Sequence, residues 1–167
     1  PYSAECGYLC HSRVMSSRDG DGWVDCDCGN RHWGLHGAAG LLLLRDKEIL
    51  LQHRAPWVHN GDTWGIPGGA RDSHEDIFEG ALREAVEETG IKAEFVTPAI
   101  IHGDDHGNWR YDTVIAHAAP ELEAHELNDE SHEVRWVAID EIESMNLHPS
   151  FAHSWPALKK LLLNLIR

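Results

Sequence analysis

The stretch from Gly68 to Ile91, GGARDSHEDIFEGALREAVEETGI, constrains this chain more than any other, because it predicts a helix with marked ends. Ser73 with Asp76 approximates an N-terminal capping box, and Gly90 stands where a left-handed C-terminal cap is favoured. At about 100° per residue, apolar side chains gather on one face of this helix and acidic ones on another. The apolar face consists of Phe78, Ala81, Leu82, Ala85 and Val86, and the acidic face of Gly80, Glu84, Glu87 and Glu88.

Three glutamates on one helix face need an explanation, because like charges at helical spacing repel. A solvated surface face is one explanation, but such faces usually interleave Lys or Arg, and the basic neighbour here is Arg83, off to one side. Gly80 inside the helix costs roughly 0.8–1 kcal/mol relative to Ala, which suits a place that another backbone or a ligand approaches. A divalent cation is the second explanation, since Mg²⁺ prefers oxygen ligands and would remove the repulsion.

The rest of the chain predicts strands on both sides of this helix and one closing helix. Apolar runs from His36 to Ala55 surround the turn sequence RDKE and favour a β-hairpin. The tail from Ser154, with Pro156 in its first turn, predicts a helix. Further strands are predicted within residues 92–103, 111–119 and 132–139, with a polar loop at 102–108 and a short helix at 140–145. Strands and helices thus mix along the chain, as they do in an α/β layer structure.

Net charge and hydropathy argue against several partners. The 167 residues carry a net charge of −14 with histidines neutral, which disfavours nucleic-acid binding through a broad basic face. The longest apolar run, about Ala38 to Leu44, is too short to span a bilayer, and no leader of basic and then apolar residues opens the sequence. Position 1 is Pro rather than Met, which leaves room for residues upstream. We expect a cytoplasmic protein with no membrane or nucleic-acid partner.

All four cysteines lie in the first 34 residues, as two close pairs with fifteen residues between them. Two such pairs are typical of a zinc ribbon, in which four thiolates surround Zn²⁺ and hold together a segment too small for its own core. The spacings inside the pairs, three residues and one, depart from the usual two, and His11 or His32 could replace a cysteine. Disulfides and unligated thiols are the alternatives. We expect residues 1–34 to form a small knuckle with a structural zinc ion on Cys6, Cys10, Cys26 and Cys28.

The stretch at 69–91 resembles the complete Nudix box. In that motif a first glycine, here Gly69, is followed at fixed spacings by acidic, basic and glycine residues. The matching positions are Gly69, Glu75, Arg83, Glu84, Glu87, Glu88, Gly90 and the aliphatic Ile91. Ala85 departs from the pattern in being smaller than the usual aliphatic residue. The preceding WGIPGG is similar to the family's lead-in. The resemblance extends more loosely over residues 35–167 and implies a Nudix-type α/β/α sandwich with a mixed β-sheet, with residues 1–34 outside it.

This resemblance implies a nucleotide pyrophosphatase that hydrolyses a nucleoside diphosphate linked to another group with the help of Mg²⁺ or Mn²⁺. Glu84, Glu87 and Glu88 would hold the metal ions together with the backbone carbonyl of Gly69. Arg83 with Glu75 would form a supporting ion pair. The general base would come from Glu88 or Glu84 on the helix or from Glu130 on a later loop, although Glu130 and Glu133 also suit ordinary solvated acids.

Substrate contacts are expected near the box and on aromatic side chains. Arg54 resembles the basic residue with which many Nudix hydrolases hold a phosphate, and an Arg fork suits that group. Trp64 and Gly68 of the lead-in are the other expected substrate-binding residues. Trp57, Trp109 and Tyr111 are further candidates for stacking a base, with a place in the core as the alternative. The loop residues His102, Asp104, Asp105 and His106 could ligate a metal or simply meet solvent.

We therefore expect an active Nudix hydrolase of a small-molecule nucleotide, with nucleoside triphosphates as the first substrate class and ADP-ribose as the second. The alternative is a non-catalytic, nucleotide-sensing module with the same fold. Isomerisation of a prenyl diphosphate would require a cysteine near the box, and all four cysteines lie elsewhere. Monomer and homodimer are equally open.

Overall fold

A computed structural model describes residues 18–127 and 129–166 of the chain. Its strands are β1 (Trp23–Asp25), β2 (Arg31–Trp33), β3 (Ala38–Arg45), β4 (Glu48–Arg54), β5 (Trp64–Gly65), β6 (Gly68–Ala70), β7 (Val96–Asp105), β8 (Arg110–Ala118) and β9 (Ser131–Ala138). Its α-helices are α1 (Ile77–Thr89) and α2 (Pro149–Leu165), with short 3₁₀ helices at Ala93–Phe95 and Ile139–Ser144. Within the described residues, no helix is both long and apolar enough to cross a membrane.

Seven strands form one mixed sheet around β3. β3 is parallel to β8 and antiparallel to β4 and β6, and β7 is antiparallel to β8. β4 continues past β3 and pairs antiparallel with both β5 and β9. β1 and β2 form a separate antiparallel hairpin. The predicted mixed sheet and the hairpin within residues 36–55 are confirmed.

The unbroken run of leucines in β3 is explained by burial on both faces of the sheet, because a strand covered on both sides has no polar face. Leu42 and Leu44 pack with Phe151, Trp155 and other residues of α2 on one face. Leu41 and Leu43 pack toward α1 on the opposite face. The sheet therefore lies between two helical layers, which confirms the α/β/α sandwich.

The N-terminal end of α1 differs from the prediction. Its capping box joins Asp76 and Glu79: the Asp76 carboxylate accepts from Glu79 N at 2.8 Å, and the Glu79 carboxylate accepts from Asp76 N at 2.9 Å. The assignment of Ser73 with Asp76 was wrong because the Ser73 backbone N–H donates instead to Asp19, 2.9 Å away. The predicted cap at the other end is confirmed, since Gly90 is left-handed with φ 65°.

The closing helix and the loop at 102–108 also differ from prediction. α2 begins at Pro149, five residues before the predicted start at Ser154, so Pro156 lies inside the helix. Pro149 suits the first turn because its nitrogen needs no partner there, and His148 caps the helix by accepting from Ser150 N at 3.2 Å. The polar loop is shorter than predicted because β7 stays paired with β8 as far as Asp105.

The hairpin of β1 and β2 packs against the sandwich through the connection between β7 and β8. Cys26, Ala38 and Trp109 form a small buried cluster there. Asn108 fixes the hairpin turn, since its side-chain oxygen accepts from Asp27 N at 3.0 Å and its amide donates to the Asp25 carbonyl at 3.0 Å. The described part of the N-terminal segment is therefore docked on the larger domain.

Candidate active site

The acidic face of α1 lies against the glycines of β6. Gly68 N donates to Glu88 Oε2 at 3.1 Å. A Cβ atom on Gly69 would lie 2.7 Å from the carboxylate of Glu84, so only glycine lets that carboxylate approach the strand. These contacts bring the predicted metal ligands Glu84, Glu88 and Gly69 together. The backbone of Gly68, a predicted substrate-binding residue, contacts Glu88 instead.

Arg83 connects the helix with the loop that precedes it. Its Nε donates to Glu75 at 2.5 Å, and a second nitrogen donates to the other Glu75 oxygen at 2.9 Å. It also donates to the Ala70 carbonyl at 3.0 Å and to Glu84 at 2.5 Å. The paired guanidinium lowers the pKa of Glu75 to about 2. The predicted ion pair is thus present, and it orients Glu84 as well.

Glu88 is the most deeply buried of the three α1 glutamates of the site, at 9% exposure. Burial, with a smaller contribution from the charge of Glu84, raises the pKa of Glu88 to about 8. Glu130 raises the pKa of Glu88 further, whereas Arg54 lowers the pKa of Glu88. Both residues, predicted from distant parts of the sequence, therefore lie close enough to act on Glu88.

Glu87 differs from its two neighbours in being about half exposed. Its carboxylate pairs with Arg18, which also lies 3.5 Å from Asp72. Sequence reasoning missed Arg18, because a single arginine 69 residues from its partner carries no local signal. The positively charged Arg18 guanidinium therefore occupies one of the three expected metal ligands, Glu87.

Gly80 has a different role from the one expected. A Cβ atom there would lie 2.7 Å from Cγ of Arg71, and Arg71 in turn donates to the Glu75 carbonyl at 3.0 Å. The helix glycine therefore makes room for the Arg71 side chain, a neighbour that the sequence did not reveal.

The donor set of this face fits a hard divalent cation. Carboxylate oxygens are preferred ligands of Mg²⁺ and Mn²⁺, and Glu84, Glu87 and Glu88 supply them within one helical turn. Burial raises the pKa of Glu84 as it does that of Glu88, so the surroundings disfavour both negative charges. A nearby cation relieves that penalty.

The aromatic side chains expected to stack on a base differ in how far other protein groups cover their rings. The ring of Trp64 stacks on His53 at 4.7 Å and also carries the Arg135 guanidinium at 4.6 Å, so protein groups already contact it. Trp109 is 9% exposed, which favours the core alternative. Trp57 is 69% exposed, which makes it the most exposed of the candidate tryptophans.

Tyr111 points its hydroxyl group at the glycines beneath the site. A Cβ atom on Gly68 would lie 2.9 Å from that oxygen, and one on Gly40 would lie closer still. Burial raises the pKa of Tyr111 well above its usual range, with smaller contributions from Glu88 and Glu84. Tyr111 is therefore a wall of the site rather than an open stacking surface.

Arg54 and Glu130 lie near each other where β4 pairs with the start of β9. The Arg54 guanidinium donates twice to the His59 carbonyl, at 3.1 and 3.3 Å. The backbone carbonyl of Glu130 accepts from Ala55 N at 2.8 Å, which joins the loop before β9 to the end of β4.

The polar residues at 102–106 do not join the glutamates. His106 lies 3.6 Å from Asp104 and against the hairpin turn, where Cys26 donates to its carbonyl at 3.2 Å. Cys26 and Cys28 are free thiols near His32. Cys6 and Cys10 lie outside the described residues.

The fold and the site together define a class of enzyme, the pyrophosphohydrolases that carry a carboxylate cluster on one helix of an α/β/α sandwich. Comparison with known proteins gives the family: the model described as NUDIX domain matches residues 34–161. The chain belongs to the Nudix family and is a Nudix hydrolase.

Two named relatives and one solved structure are similar to this chain over most of its length. A Mycobacterium tuberculosis protein named "Putative 8-oxo-dGTP diphosphatase 3" is 49% identical over 152 residues, covering 84% of this chain and 70% of that protein. A Bifidobacterium longum "Nucleoside triphosphate pyrophosphatase/Nudix hydrolase fusion protein" is 44% identical over 146 residues, 82% of this chain and 30% of that one. The crystal structure of RenU, a Nudix hydrolase from M. smegmatis, superposes with a TM-score of 0.79 at 46% identity and covers 87% of this chain and 96% of that one.

Proposed function

We propose that this pyrophosphohydrolase requires Mg²⁺ or Mn²⁺ and acts first on nucleoside triphosphates, with ADP-ribose as the second substrate class. The observation that carries the proposal is the buried pair of Glu84 and Glu88 against the backbone of Gly68 and Gly69. The names of two relatives, one an 8-oxo-dGTP diphosphatase and one a nucleoside triphosphate pyrophosphatase fusion, support the triphosphate class. A nucleotide substrate also favours the cytoplasmic location expected from the sequence.

Glu84, Glu87 and Glu88 hold the cation in this proposal, with the Gly69 carbonyl as a further oxygen ligand. A divalent ion held there would supply charge neutralisation for phosphate oxygens and would lower the pKa of a bound water molecule. Arg83 holds Glu84 in place through Glu75 and the Ala70 carbonyl.

Glu88 is the better base of the two helix carboxylates. Its Oε2 is fixed by Gly68 N at 3.1 Å, whereas Arg83 contacts a Glu84 oxygen directly and makes it less basic. Glu88 would accept the proton of the attacking water at a carboxylate oxygen. Glu130 is the loop alternative, since its backbone is joined to the end of β4 beside Arg54.

Arg54 and Trp57 receive the two ends of the substrate. The Arg54 guanidinium suits a phosphate, because its planar fork matches phosphate oxygens. Trp57 replaces Trp64 as the preferred stacking residue, because the Trp64 ring already contacts His53 and Arg135. His132 contacts the Trp57 ring edge-on at 6.2 Å and would help to fix its orientation.

A product assay tests the proposal. The purified chain is incubated with Mg²⁺ and a panel of dGTP, 8-oxo-dGTP, ADP-ribose, a dinucleoside polyphosphate and a sugar nucleotide, and products are identified by mass spectrometry. We expect a nucleoside monophosphate and pyrophosphate from a triphosphate. Glu88→Gln should lower the rate by about 10³-fold or more, and Glu94→Gln, which alters an exposed carboxyl in the 3₁₀ helix after α1, should leave it unchanged.

The sensing alternative gives a different result in the same experiment. No panel member would be cleaved, yet one would raise the melting temperature, because a ligand that binds only the folded state stabilises it. Equal activity of Glu88→Gln and the unaltered chain would contradict the catalytic role of Glu88. Monomer and homodimer both stay predictions, and a zinc ion in the cysteine segment would be structural and separate from this chemistry.

A further inference from the structure

The turn of the β1–β2 hairpin brings two thiols and an imidazole to one point. Cys26 and Cys28 lie in the turn and His32 lies on β2, and one ligand atom from each falls within 4.8 Å of the others. Sγ of Cys28 is 3.2 Å from Nε2 of His32. Distances of this size suit three groups arranged around one small ion.

The backbone of the turn holds the two thiols in this arrangement. Cys26 N donates to the Asn30 carbonyl at 2.9 Å, and Gly29 N donates back to the Cys26 carbonyl at 2.9 Å. Gly29 has φ 87°, a conformation that glycine adopts without strain. The turn is therefore tight and closed by its own hydrogen bonds, as a preformed ligand site requires.

The imidazole of His32 is held by its neighbours. It stacks on the ring of Trp109 at 4.1 Å with the planes 10° apart. Trp109 is buried, and its Nε1 donates to the Gly34 carbonyl at 3.1 Å. The orientation of His32 is thus fixed by the core rather than chosen on the surface.

His106 is placed to complete the group. Its ring lies 4.7 Å from that of His32, and its backbone carbonyl accepts from the Cys26 thiol at 3.2 Å. Nε2 of His106 is 3.6 Å from Asp104, which leaves Nδ1 as the nitrogen for a ligand. A carboxylate on the second ring nitrogen is what metal-binding histidines usually have.

We infer that Cys26, Cys28, His32 and His106 bind one structural zinc ion. Two thiolates with two imidazoles form a tetrahedral set that selects zinc over Mg²⁺ or Ca²⁺, which take oxygen ligands. This set differs from the four-cysteine prediction: it uses both cysteines of the described hairpin and takes its histidines from β2 and from the connection after β7.

The site has a structural purpose that its position explains. The hairpin strands have three residues each and exposed tryptophans, Trp23 at 54% and Trp33 at 44%, so they bury little apolar surface of their own. A zinc ion shared with His106 would fasten the hairpin to the β7–β8 connection, as metals do in segments without a core. It is separate from the carboxylate cluster of α1, and its role is to hold the hairpin rather than to act on the substrate.

Zinc content of the full chain, purified under reducing conditions and measured by inductively coupled plasma mass spectrometry, tests the inference. We expect about one zinc per chain, retained in Glu88→Gln because the glutamate site is separate. Cys28→Ser and His32→Asn should reduce the content to near zero, and His106→Asn should weaken binding by at least tenfold in a competition with a chromogenic chelator. The matched control is the double variant Cys6→Ser with Cys10→Ser, which should keep its zinc.

Cobalt substitution keeps the test decisive if the cysteine variants fail to fold. Co²⁺ added to the unaltered, metal-free chain should give a tetrahedral absorption spectrum with thiolate-to-cobalt charge transfer, reduced when either cysteine of the hairpin is alkylated. A reduced chain that takes up neither zinc nor cobalt, or a Cys26–Cys28 disulfide recovered without metal, would overturn the site. Loss of zinc in the Cys6 and Cys10 double variant with retention in His106→Asn would overturn this ligand set.

Discussion

Replacing Glu88 with Gln is expected to stabilise the metal-free chain while it abolishes activity. Glu88 is 9% exposed, and burial, with the charge of Glu84, raises its pKa from 4.5 to about 8. Between these two values the folded state binds a proton that the unfolded chain has released. The free energy of unfolding therefore falls as pH rises from about 4.5 to about 8, and the loss is complete above that interval.

The size of the effect follows from the same two pKa values. Each pKa unit corresponds to about 1.4 kcal/mol, so charging Glu88 costs the folded state about 1 kcal/mol at pH 5, about 3 kcal/mol at pH 7 and about 5 kcal/mol well above pH 8. Gln carries no charge, and its side-chain oxygen can still accept from Gly68 N, which lies 3.1 Å from Oε2 in the unaltered chain. The variant should thus gain stability over the unaltered chain as pH rises.

Urea unfolding in EDTA at pH 5, 6, 7 and 8 measures this difference. Glu94→Gln serves as the matched control, because Glu94 is exposed and its replacement should change stability by the same small amount at each pH. Mg²⁺ should then stabilise the unaltered chain more than Glu88→Gln, since a cation offsets the buried charge. A stability difference between Glu88→Gln and the unaltered chain that is equal at pH 5 and pH 8 would refute the reasoning.

Three further predictions follow from single contacts. Arg83→Lys keeps the charge but loses the two-point contact with Glu75. The kcat should therefore fall by about 10- to 100-fold, and an unchanged kcat in steady-state assays would contradict this role of Arg83. Arg18→Ala removes from Glu87 a cation that would compete with Mg²⁺. The Mg²⁺ concentration at half-maximal rate should fall by about 2- to 5-fold, the size expected for a surface ion pair. A rise in that concentration would contradict competition between Arg18 and the metal ion. Burial lowers the pKa of His148 below 6.5 in the folded chain. As pH falls below 6.5, His148 is therefore protonated first in the unfolded chain, and the stability that this helix cap contributes is lost. An NMR titration that gives His148 a pKa above 6.5 would disprove this prediction.

The parts of the fold that could be predicted are those with a local signal. The 3.6-residue period and the box spacing located α1 and its three glutamates, because both patterns lie within one short stretch. Gly90 was found for the same reason. The start of α2 was missed because Pro149 and Pro156 both suit a first turn, and the choice depends on Phe151, which packs into the core and has no marker of its own in the sequence.

Contacts between distant segments had no such signal. Arg18 meets Glu87 across 69 residues, and His106 reaches Cys26 only because β7 and β8 form a hairpin whose connection lies on the β1–β2 turn. A cysteine count points to zinc but does not tell which histidine is nearby, because that depends on strand register. The same limit applies to Trp57 and Trp64, which differ in exposure only through what their neighbours cover.

The segment that begins the described chain connects the inferred zinc site with the catalytic helix. Gly20 N donates to Asp72 at 3.1 Å and Asp19 accepts from Ser73, which ties this segment to the loop before α1 while Arg18 reaches Glu87. The residues that follow β2 hold this segment as well, since Gly34 N donates to the Gly22 carbonyl and Leu35 N to the Gly20 carbonyl, each at 2.8 Å. We therefore expect removal of zinc to release the Arg18 side chain from Glu87. The Mg²⁺ concentration at half-maximal rate should then fall, as it should in Arg18→Ala. Among the described residues, no hydrogen bond or ion pair joins the three α1 glutamates to the inferred zinc ligands, so a shared direction would indicate coupling through the segment rather than damage to the active site.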